Sequence, residues 1–207
     1  MRSNTVQSLL TLVVSASGAL GATPAGFEPA SEESLLVVYG NIAAQDGVVV
    51  PKDNTQTAPT IASLKRLDGT SFAVLMIDLD IPTEEPHTLL HWLQTGLTQS
   101  PSSTPLNTTL GSQDAFIFSV PQDEAFAPYL GPGPPAKTPL SHRYTQILVN
   151  TSGASDEDLA VLEAAAENRQ NFIAQDVLTS AGLVDKVVAG NFFNVTNPGP
   201  VEVFRIY

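Results

Sequence analysis

The chain of 207 residues contains no cysteine. That excludes disulfide staples, thiolate zinc sites, iron–sulfur clusters and cysteine nucleophiles. Histidine is scarce, so imidazole chemistry falls to His87, His91 or His142. Positive charge is scarce as well: nine Lys and Arg stand against 21 Asp and Glu, for a net charge of −12. So acidic a chain offers no basic face to a phosphate backbone or an anionic membrane, and nucleic acid is not an expected partner. Gly-Lys-Ser/Thr phosphate loops and His-Glu-x-x-His zinc motifs are missing. What the chain does have is apolar mass. At 43% hydrophobic residues it carries more than a disordered chain would, and enough to build one domain.

The first 22 residues stand apart. Arg2 is the only basic residue before Lys52, and residues 8–21 carry no charge. Leu9, Leu10, Leu12, Val13 and Val14 form a short apolar core, followed by small residues from Ala16 to Ala22. A basic start, a short apolar run and small residues read as a secretory signal peptide, with a buried strand or helix as the alternative. The run falls short of the roughly 20 residues that span a bilayer, so no transmembrane segment is expected. The expected division is a leader over 1–21 and a single domain over 22–207. Three glycosylation sequons follow, at Asn107, Asn150 and Asn194. No long apolar C-terminal tail suggests a lipid anchor. The expectation is a secreted, soluble glycoprotein.

Beyond the leader, short apolar runs alternate with turns rich in proline, of which the chain has 16. Residues 34–39, 47–50, 60–64, 72–77, 89–97, 115–120, 144–149 and 201–206 read as strands. The run 72–77 is apolar at every position, which marks a strand buried on both faces. Helices appear only late. Ser155 is an N-cap candidate ahead of three acids, with Leu159, Leu162 and Ala166 on one face. A second helix is expected over 171–181, with Ile173, Val177 and Leu178 inward and Gly182 as its stop. Strands first and helices last indicate a mostly β domain, a sandwich with helical decoration.

Three stretches carry chemistry. In Asp78-Leu79-Asp80-Ile81-Pro82, strand alternation sends both carboxylates to one side, where each needs a proton or a partner. The alternative is a polar strand end before a proline turn. His91 adjoins the only tryptophan, Trp92, among leucines, and reads as either a core histidine or a functional one. His87, in the turn after Pro86, reads as exposed. The Gly131-Pro132-Gly133-Pro134-Pro135 segment cannot be helix or central strand. It reads as a structural turn or as a rigid rim whose glycines let a ligand approach the backbone. His142 and Tyr144 then share a face at a strand start. Ser141 points away from His142, so the pair is no catalytic dyad.

Together these stretches resemble the phosphatidylethanolamine-binding protein family. Its D-P-D-x-P pattern matches Asp78, Asp80 and Pro82; its histidine strand matches Leu90-His91-Trp92-Leu93. Its G-x-G-P-P matches Gly131, Gly133, Pro134 and Pro135, and its H-R-Y matches His142-Arg143-Tyr144. Residues 171–193 look like its C-terminal segment, and the likeness runs from about Leu35 to Phe193. The resemblance implies an antiparallel β-sandwich of two sheets with two C-terminal helices. It also implies a small anion pocket lined by Asp78, Asp80, His91, His142 and Tyr144, rimmed by Pro82, Gly131, Gly133 and Pro134. A cis bond at Ile81–Pro82 is implied as well. Leu79 and Ile81 are bulkier than the family's usual residues there.

On this reading the protein binds a small anionic ligand, phosphoethanolamine-like or a dicarboxylate, with no cofactor, no metal and no catalytic residue. Two further roles stay open from the family: an accessory to a fungal biosynthetic cyclase, or an inhibitor of a serine carboxypeptidase acting through residues 22–34.

Overall fold

The computed structural model describes residues 22–82, 87–121 and 125–198. The leader and the strand expected at 201–206 lie outside them. Among the described residues nine strands form: β1 (Leu36–Tyr39), β2 (Ile42–Ala43), β3 (Thr60–Ser63), β4 (Phe72–Ile81), β5 (His87–Gln99), β6 (Thr104–Thr108), β7 (Gly111–Ser119), β8 (Ser141–Asn150) and β9 (Val187–Thr196). Helices α1 (Asp156–Ala166) and α2 (Ala174–Ser180) lie between β8 and β9. Mostly β with late helices is therefore the architecture.

The strands pair antiparallel in the order β2-β1-β3-β7-β5-β4-β8-β9, with β6 on the edge of β7. Hydrogen bonding thus links all of them into one curled sheet, where two separate sheets were expected. The joints are narrow. β3 meets β7 only at Ala62–Ile117 and Ser63–Phe116, and β5 meets β7 only at Thr98–Ser119 and Gln99–Phe118.

β4 explains its own unbroken apolar run. Phe72, Val74 and Met76 face inward to meet Val37, Tyr39, Ile61 and Phe118 from the other arm of the curl. Ala73, Leu75 and Ile77 face outward and are covered by Phe172, Leu162 and Leu178 of the helical region. A strand packed on both faces has no position to leave polar. His87 is no exposed turn residue; it opens β5 opposite Ile81.

α1 starts as expected, with Ser155 accepting from the Asp158 amide and Asp158 accepting from the Ser155 amide. α2 starts three residues later than expected. Ile173 is its N-cap and is 53% exposed, not inward, because the preceding chain pairs with β5 through a Leu89–Gln170 bridge. Gly182 ends it at φ +66°. Residues 47–50 form no ladder; Val49 makes one isolated bridge to Asn194. The cis peptide bonds are Glu28–Pro29 and Thr138–Pro139, not Ile81–Pro82, where the usual trans preference prevails.

Residues 22–35 form a strap along β9. The Thr23 amide donates to the Ser31 carbonyl, and the Leu35 amide to the Gly190 carbonyl. A Cβ on Gly190 would lie 2.5 Å from Thr23 Cγ2, so only glycine admits the strap. Among the described residues no helix is long and apolar enough to cross a membrane.

Candidate functional site

Strand register brings the expected residues together. Asp78 on β4 sits between Leu89 of β5 and Tyr144 of β8. His142 lies two residues before Tyr144 and therefore on the same face. His91 arrives by a different route. Met76 pairs with Trp92 but Ile77 pairs with Leu90, so His91 is the extra residue of a β-bulge. The bulge turns its ring toward Asp78 while Trp92 still reaches the core.

The hydrogen bonds are specific. His142 Nδ1 lies 2.8 Å from Asp78 Oδ2, and the Asp80 amide donates to Asp78 Oδ1 at 2.9 Å. His91 Nδ1 lies 2.8 Å from the Leu130 carbonyl, so that nitrogen carries the hydrogen. His91 Nε2 is then left 4.0 Å from Asp78 Oδ2. The Nε2 atoms of His91 and His142 are both buried without a hydrogen-bond partner. Tyr144 accepts from the Gly133 amide at 3.3 Å, which ties the Gly-Pro rim to the site. Its ring meets His91 edge-on, with centroids 5.1 Å apart.

These groups surround a cavity of about 230 Å³. Of the expected residues, Asp78, His91, Gly131, Gly133, His142 and Tyr144 line it. Leu130 and Pro135 also line it, with Ile81 and Leu89 at one side. Pro82, Pro134 and Asp80 are not part of the lining. Asp80 is turned away because β4 has its own extra residue between Asp78 and Ile81. Its carboxylate instead grips Arg143, with Nε at 2.9 Å and Nη2 at 2.7 Å.

Burial sets the protonation states. It holds the His91 imidazole below its ordinary pKa, against the pull of the Leu130 carbonyl and Asp78. Burial also drives the Tyr144 phenol far upward, helped by the Asp78 carboxylate, so this hydroxyl keeps its proton. For Asp80 burial pushes up, but the hydrogen bonds from Arg143 win and hold the carboxyl below its usual range.

Of the two rim glycines, packing requires Gly131 alone. A Cβ on Gly131 would lie 2.7 Å from Gln56 Oε1 and 3.0 Å from its Cα, whereas one on Gly133 meets nothing closer than 3.9 Å. Gln56 in turn donates to the Pro132 carbonyl at 3.0 Å. Arg169 fixes the other side of the site, donating to the carbonyls of Leu90, His91 and Pro128. Sequence reasoning missed Arg169 as a clamp, since only the fold shows which carbonyls it reaches. Ser141 bonds Thr196, on the side away from His142.

A bulged histidine, a buried aspartate, a second histidine and a Gly-Pro rim now stand in one place. Residues 40–193 match the family model described as phosphatidylethanolamine-binding protein. The chain belongs to the phosphatidylethanolamine-binding protein family. Among curated proteins it is similar to phomoidride biosynthesis cluster protein N of Talaromyces stipitatus, at 28% identity over 90% of this chain and 96% of the relative. Among solved structures it is similar to carboxypeptidase Y inhibitor, crystallised with its cognate proteinase. That match has a TM-score of 0.56 and 19% identity, covering 81% of this chain and 85% of the inhibitor. The inhibitor likeness supports the fold alone. In this family member the sequon asparagines differ in setting. Asn107 is exposed on β6, while Asn150 Nδ2 donates to the Asp68 carbonyl and Asn194 Nδ2 to the Gly47 carbonyl.

Proposed function

We propose that the protein is a secreted member of the family whose cavity binds the phosphate or carboxylate head group of a small ligand. The observation that carries this reading is the pair of buried, unpartnered Nε2 atoms of His91 and His142 beside Asp78. A buried polar atom without a partner is costly, and it is satisfied by a ligand oxygen. With the His91 ring neutral and its Nδ1 hydrogen on the Leu130 carbonyl, its Nε2 offers only a lone pair. An anion therefore enters together with a proton, and the His91 imidazolium and the Tyr144 hydroxyl donate to its oxygens. Among the described residues no Lys or Arg lines the cavity, so binding is selective and modest in strength.

The test is a calorimetric titration with phosphoethanolamine and, separately, a substituted maleate. Saturable binding with proton uptake is expected, lost in folded Asp78→Ala and His91→Ala variants. Silence with both ligands refutes the reading.

A second reading, assistance to a separate biosynthetic cyclase, has the relative from the phomoidride cluster in its favour, because that likeness spans almost both chains. Adding the protein to such a cyclase would change its product profile; an unchanged profile ends the idea. Inhibition of a carboxypeptidase has less support. Residues 22–34 would have to reach a protease, yet Ala22, Thr23, Phe27 and Ser31 are buried against their own fold. Absence of inhibition at micromolar protein would close that route.

A further inference from the structure

The head-group cavity does not stand alone. A second cavity of about 280 Å³ is lined by Ile81, His87, Thr88, Leu89, Gln170 and Asn171. Ile81 and Leu89 line both cavities, so the two lobes adjoin across these side chains. On β5, His91, Leu89 and His87 alternate onto one face. Four residues of strand place the two histidines about 13 Å apart. The track has three chemical zones in order: the Asp78–His91–His142 cluster, an apolar joint, then an outer lobe. Four of the six outer residues are polar, and His87, Gln170 and Asn171 offer ring or amide N–H donors there.

We propose that both lobes hold one elongated ligand, an acid whose apolar middle crosses Leu89 and Ile81 and whose far end carries a second carboxyl. This rests on the reading of the inner lobe as the head-group site. An isolated inorganic anion would leave the outer lobe empty, and a plain alkyl tail would bury His87, Gln170 and Asn171 against carbon. A carboxyl end satisfies those donors and leaves the apolar joint to the methylenes. Discrimination comes from donors placed at a set distance, as a site built for a polar group rejects an analogue that lacks it.

The experiment titrates the purified protein with inorganic phosphate, with linear diacids from malonate to sebacate, and with the monoacid matching the longest diacid. A length optimum is expected, at which a diacid binds at least tenfold tighter than malonate and than the monoacid. In His87→Ala and in Asn171→Gly this advantage falls toward parity, and His87→Gln, which keeps an N–H donor, restores part of it. Asn171 has φ +57°, so glycine preserves the backbone there. Malonate or phosphate binding without any gain from length overturns the proposal and leaves the inner site standing. A monoacid that equals the diacid overturns it in favour of an apolar tail. Silence with every probe refutes the inner site and the proposal together.

Discussion

At the scale of single residues, His91 links the site to pH. Its imidazole is held below the ordinary pKa by burial, so protons prefer the unfolded chain. The empty protein keeps the full contribution of His91 above about pH 6.5 and loses it as pH falls below. Under the proposed head-group function, an anion in the cavity would reverse the sign, because it would pair with the protonated ring. Thermal melts at about pH 7.5 and about pH 5 are expected to show acid destabilisation without ligand and a larger phosphate-induced gain at the lower pH. Equal phosphate gains at both values would contradict this coupling. The two rim glycines make a second residue-scale contrast. Gly131→Ala forces its methyl against Gln56 and is expected to cost about 1–3 kcal/mol. Gly133→Ala has room and is expected to stay within about 0.5 kcal/mol of wild type, by denaturant titration of both variants.

At the scale of elements, much was legible and the gaps have physical causes. The doubly apolar run in β4 announced a strand packed on both faces, and Ser155 announced the start of α1. Ser155→Ala removes the hydroxyl that accepts from the Asp158 amide, while the Ser155 amide keeps its bond to the Asp158 carboxylate, and is expected to cost about 1 kcal/mol, seen as a lower chemical-denaturation midpoint. β9 is not legible as a strand because Gly190 and two asparagines interrupt its apolar pattern. Those residues have tertiary duties. Gly190 makes room for Thr23, Asn191 donates to the Ala44 carbonyl, and Asn194 to the Gly47 carbonyl. Asp80 was assigned to the wrong face by strict alternation. A bulge is a property of two strands in register, and neither strand alone reveals where the extra residue will fall.

At the scale of the whole molecule, the sequons and the fold make a combined prediction. Asn107 lies exposed on an edge strand, but Asn150 and Asn194 spend their amide hydrogens on backbone carbonyls. Peptide mapping of protein made in a eukaryotic secretory host is expected to find glycan at Asn107 and bare asparagine at the other two. Glycan at Asn194 on folded protein would show that its bond to Gly47 is dispensable.

The strap from Ala22 to Leu35 has a consequence in time. Its anchor is Gly190, in the last described strand, while the strap itself is synthesised before any described strand. The strap cannot make its bonds to Gly190 until β9 has been synthesised. Docking of the strap is therefore a late event, and a nascent chain that ends before Val187 lacks the strand that pairs with both the strap and β8.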